Sequence, residues 1–220
     1  MAELHYQDSQ QAKREIATDW RRRLFGLNYH DVWAALAREI DARHETGGWW
    51  KHGKVVADVG AWQITLDKHV VSTGKSHITY TRLRAPFVSS GGLRFCVYRK
   101  GVFSGLGKLL GVQDIEIGDA RFDDAFVVKG SDDRTVRLLL SDPALRALIE
   151  AQPKLRLQVK DDEGWFGAHF PQGVDELHFQ VMGIIKDVDR LRLLFDLFAH
   201  TLRRLCEIGE AADRPANVTL

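Results

Sequence analysis

The chain has 220 residues, 45% hydrophobic and 28% charged, which is ample apolar content for one substantial core. Its 31 basic and 30 acidic side chains leave a net charge of +1, so no whole-chain field favours nucleic acid or an anionic membrane, and no nucleic-acid partner is expected. No apolar run approaches the ~18 residues of a membrane span, the first ten residues do not read as a secretory signal, and Cys96 and Cys206 read as separate buried thiols, so the expected placement is the cytoplasm.

Residues 10–24 read as a helix, with Ile16, Trp20 and Leu24 every fourth residue and Arg21, Arg22 and Arg23 in the last turn. Gly26 breaks it. Asn28 or Asp31 caps a second helix with Trp33, Leu36, Ala37 and Ile40 on one face. Residues 1–46 are thus expected to form an N-terminal helical pair, followed by an α+β domain over 47–209. Adjacent tryptophans, Trp49 and Trp50, sit in a glycine-flanked loop. Trp50 is a candidate contact residue, because large aromatics are favoured at interface hot spots.

A β region follows. Trp62, Ile64 and Leu66 alternate with Gln63, Thr65 and Asp67. Ser72-Thr73-Gly74 reads as a three-residue hairpin loop with Gly74 in the left-handed position. That loop pairs 71 with 75, 69 with 77, 67 with 79 and 65 with 81. Ile78 and Tyr80 then join Trp62, Ile64 and Leu66 on an apolar face. His69 and His77 face each other on the polar side beside Asp67, with Cβ atoms ~5 Å apart. Two imidazoles and a carboxylate are the raw material of a metal-assisted hydrolase. The sequence names no third or fourth protein ligand beside them, and a half-solvated sheet face has the same composition. His169 and His178 join only if the topology brings them alongside. No metal or other cofactor is assigned.

Pro86 is expected to end the second strand, and Leu93–Tyr98 forms another. The stretch 101–111 carries four glycines but not phosphate-loop spacing, with Leu109 where a Ser or Thr belongs. Its apolar residues, Phe103 and Leu106 above all, are candidates for partner or ligand contact, or for shallow membrane association.

Residues 118–153 are the most legible part of the chain. Ala125–Val128 reads as a strand with Gly130 at its end. Ser131 and Asp132 cap one short helix, and Ser141-Asp142-Pro143 starts another that stops before Pro153. The neighbouring Asp123 and Asp124 read as a turn and cap pair, since adjacent strand residues point to opposite faces. This stretch resembles a segment found in uncharacterised bacterial proteins of a domain-of-unknown-function family. Phe122, Asp123, Phe126, Val127, Leu140, Ser141, Pro143 and Leu145 carry the match, and Asp142 departs from it by separating Ser141 from Pro143. The resemblance covers roughly the C-terminal half. It implies a bacterial source and a shared fold, and no activity.

Leu155, Leu157 and Val159 alternate with Arg156, Gln158 and Lys160, and Leu177, Phe179 and Val181 alternate with Glu176, His178 and Gln180. The acidic run Asp161-Asp162-Glu163 lacks the ligand spacing of a calcium loop. Residues 186–208 form the longest helix, capped by Asp187 and ended by Gly209. Its apolar stripe fits either a sheet or a homodimer seam. Residues 210–220 are expected to lack order. The fold class is α+β, with a mainly antiparallel sheet, two short central helices and a long C-terminal helix. The first functional expectation is a binding module for a protein or small ligand. The metal-assisted hydrolase and the membrane-associated protein stand as alternatives.

Overall fold

The computed structural model describes residues 28–46, 53–72, 74, 76–101, 113–161 and 170–220. The first helix of the expected N-terminal pair, Trp49, Trp50, Phe103, Leu106 and His169 lie outside them. Helix α1 (Tyr29–Glu39) starts where Asn28 accepts the His30 N–H, and it buries Val32, Trp33, Leu36 and Ala37. Strands β1 (Arg43–Glu45), β2 (Lys54–Val59), β3 (Trp62–Ser72), β4 (His77–Val88), β5 (Phe95–Arg99) and β6 (Gln113–Asp114) follow. Then come α2 (Ala120–Ala125), β7 (Phe126–Gly130), α3 (Asp133–Leu140), α4 (Pro143–Glu150), β8 (Arg156–Lys160), β9 (Val174–Met182) and α5 (Val188–Glu207). The nine strands make one sheet in the order β1-β2-β3-β4-β9-β8-β5-β7-β6. Every ladder between them is antiparallel. The α+β class is therefore observed.

One face of the sheet carries the main core. Leu66 pairs with Leu83, Leu83 with Phe179 and Phe179 with Leu157, so four strands place apolar side chains in one row. Helices α1 and α5 lie against this face and each other. The Trp33 indole N–H donates to the Ile185 carbonyl at 3.3 Å, which satisfies the ring's one polar group inside the core. Helix α5 buries Leu191, Leu194, Phe195, Leu197, Phe198, Leu202 and Leu205. Each such side chain contributes about 1.5–3 kcal/mol when fully buried. The stripe read as a dimer seam is thus occupied within the chain itself.

The helix starts follow their capping residues. Asp132 accepts from Thr135 N, Asp142 from Ala144 N and Leu145 N, and Asp187 from Arg190 N. Residues 120–125, expected at the entry to a strand, form α2, with Asp119 as its cap. Asp123 turns back to accept the Ile117 and Gly118 N–H groups at 2.8 and 2.9 Å. Its role in this loop is structural.

Two expectations are corrected. Pro86 does not end β4, which runs on to Val88. The β3–β4 ladder stops at Thr65–Arg84, so Pro86 sits where β4 has lost its β3 neighbour and a missing N–H costs little. Nor do residues 210–220 lack placement. Ser90 N donates to Glu210 O at 2.9 Å, Ala212 N to Val88 O at 2.9 Å, and Lys54 Nζ to Leu220 O at 3.0 Å.

Candidate functional site

The other face of the sheet is chemically different. Antiparallel partners share a face, so the registers define rows across it. One row reads Thr65, Arg84, His178, Gln158, Cys96 and Lys129 on β3, β4, β9, β8, β5 and β7. All but Lys129 are buried. The next row holds Asp67, Arg82 and Gln180, with Arg156 and Tyr98 paired on the strands beyond. It is partly buried. On the opposite flank Glu176 pairs with Lys160. Val56, Cys96 and Val174 are buried on this face but stand outside the main hydrophobic cluster.

The best-defined ionic contact joins the two rows. Arg82 grips Asp67 with two bonds, Nε to Oδ1 and Nη2 to Oδ2, both 2.8 Å. Arg84 adds a third bond to Oδ2 at 2.5 Å. The three side chains are only 14%, 15% and 6% exposed, so solvent screens them weakly. A bidentate pair of this kind fixes both side chains as well as adding energy.

His178 sits beside them, 3% exposed, and its Nδ1 makes no hydrogen bond. Burial holds its pKa well below the ordinary imidazole range, and the positive charges of Lys160, Arg82, Arg84 and Arg156 push the same way. It is therefore neutral at physiological pH. Cys96 lies two strands away, about 10 Å across the sheet. Burial raises its thiol pKa, and the opposing pull of Arg156, Lys129 and Lys160 does not reverse this. A protonated thiol at that distance is not a nucleophile served by His178.

The expected His69, His77 and Asp67 cluster is not assembled. The register pairs His69 with Tyr80 and Ser72 with His77, three residues away from the expected one. An odd shift moves β4 residues to the opposite face. Asp67 and His69 stay on the polar face, and His77 turns to the other side of the sheet. The physical reason lies in β4: the shift buries Leu83, Ala85 and Phe87, which outweigh the half-exposed Ile78 and Tyr80. Both Asp67 oxygens are already engaged by arginine. Among the described residues no group of three or more His, Cys, Asp or Glu side chains is placed to hold a metal ion.

His178 does reach the face of Asp67 and His69, through β9 pairing with β4. Arg82, Arg84 and Gln158 were not singled out beforehand. Their one sequence signal was alternation with Leu83, Leu157 and Phe179, which assigns them to a non-core face without naming their neighbours. No described helix is long and apolar enough to cross a membrane. Comparison of the chain with protein-family models, with curated proteins and with solved structures finds no match.

Proposed function

We propose that the protein is a binding module whose working surface is the partly buried row Asp67, Arg82, Gln180, Arg156 and Tyr98. The observation that carries this reading is the row itself. It runs across five neighbouring strands at about 5 Å per strand and is rich in hydrogen-bond donors. The Asp67–Arg82 pair orients one guanidinium in advance, which lowers the ordering cost of binding. The buried row lies beside it on the same face and shares Arg84's bond to Asp67. A buried ionic cluster is weak support for stability, and its better-attested use is specificity.

The ligand is a protein segment or a small molecule that accepts hydrogen bonds. Replacing Arg156 with Gln removes a donor and a charge from the β8 position of the row. The expected result is at least tenfold weaker ligand capture with an unchanged melting temperature. Full retention of binding in Arg156→Gln would contradict the assignment. The resemblance over residues 118–153 adds a proposed bacterial source, and the cytoplasm remains the proposed location.

A further inference from the structure

At its β2–β3 end the polar face changes character. The β3–β4 ladder stops at Thr65–Arg84, and the chain after α5 crosses this end of the sheet. An antiparallel bridge between Ser89 and Ala211 brings it in, and Lys54 holds Leu220 on β2. A cavity of about 550 Å³ lies between residues 215–219 and Asp58, Gly60, Trp62, Gln63 and Pro86 of the sheet. That volume falls in the range of small-molecule sites, roughly 300–1,000 Å³.

The wall is chemically lopsided. Pro86, Pro215 and Val218 supply rings and apolar surface, and Trp62, whose side chain belongs to the main core, borders the rim. Asp58 is the one ionised side chain among the lining residues. Gln63 Nε2 orients its carboxylate from 2.9 Å. Arg43 Nη2 lies 3.3 Å from Oδ1 and 3.2 Å from Oδ2, but the two side chains are 59% and 58% exposed. A pair so exposed is worth about 0–1 kcal/mol and leaves carboxylate lone pairs for another cation. The side chains of Asn217 and Thr219 make no hydrogen bond among the described residues. Asn217 holds φ at 54°, a left-handed conformation that Asn tolerates.

We propose that this cavity binds a small organic cation, an amine or guanidinium carried on an apolar body. The charge rests on Asp58, the body lies between Pro86, Pro215 and Val218, and residues 215–219 close over it. The proposal rests on the reading of this face as the binding face, and it uses no residue of the Arg82–Arg156 row.

Phenethylamine is the probe, with phenethyl alcohol as its uncharged match, both followed by calorimetric titration. Wild-type protein is expected to bind the amine in the millimolar range or tighter, and at least tenfold more tightly than the alcohol. Asp58→Asn is expected to abolish that preference, and Asp58 is exposed enough for the variant to fold. Deleting residues 213–220 is expected to weaken both probes, and bound amine is expected to slow carboxypeptidase trimming of the tail. Equal affinity for amine and alcohol, no amine binding at all, or an unchanged preference in Asp58→Asn would overturn the proposal. Arg156→Gln is expected to leave amine binding intact. Loss of ligand capture in that variant with no amine binding in the wild type would remove the cation site alone.

Discussion

His178 links the chemistry of the polar face to measurable stability. Its folded pKa is depressed, first by burial and then by Lys160, Arg82, Arg84 and Arg156. The unfolded chain takes up a proton at this residue below about pH 6.5, whereas the folded chain resists it. Stability is therefore lost as the pH falls below that value, by up to about 1.4 kcal/mol per pH unit. In urea denaturation between pH 7.5 and 5.5, His178→Gln should show a slope shallower than wild type by about half a proton on average, approaching one proton at the acid end. Identical slopes would mean that His178 charges freely in the folded protein. Asp67 makes a second case. Asp67→Asn removes a carboxylate that two largely buried guanidinium groups both contact. A loss of about 3 kcal/mol is expected at neutral pH, measured by the same denaturation.

At the scale of elements, the helices that start on Asp132, Asp142 and Asp187 were readable, whereas helix α2 and one strand register were not. Caps act over two or three residues, so Asp132, Asp142 and Asp187 announce their helices locally. Alternation likewise places Leu157 and Phe179 on the core face. The β3–β4 register was lost because β4 carries two apolar sets of opposite parity, Ile78 with Tyr80 and Leu83 with Ala85 and Phe87. Only tertiary burial chooses between them. Local reading also missed the tie between α4 and α5, in which His200 Nε2 meets the Asp142 carboxylate at 2.7 Å. That contact, followed by the Leu145 and Ala144 N–H groups, holds the Asp142 pKa below its usual range. The stabilisation is complete above the ordinary carboxylate pKa of about 4 and fades as the pH falls through the folded value. Asp142→Ala should therefore cost about 1 kcal/mol at pH 7 and markedly less at pH 3, by guanidinium denaturation.

The described residues form a nine-stranded antiparallel sheet with helices on one face and charged rows on the other. That two-sidedness was partly legible, since β8 and residues 176–181 of β9 alternate between apolar and polar residues. The site was not. Residues 84, 178, 158 and 96 become neighbours only through strand order, and pairing so distant in sequence leaves no local trace. The placement of residues 210–220 was illegible for a related reason: their composition suggests disorder, and backbone bonds to Val88 and Ser90 hold them. The most direct test compares one substitution on each side of the molecule. Gln180→Trp places an indole within the polar row, whereas Leu138→Ser changes an exposed apolar residue of α3. Partners captured from native-level extract by tagged protein are quantified by mass spectrometry, and melting temperatures are checked alongside. The polar-face account predicts a stoichiometric partner that is lost with Gln180→Trp and kept with Leu138→Ser, both variants melting like wild type. A partner kept by Gln180→Trp and lost with Leu138→Ser would move the binding surface to the helical side and contradict the account.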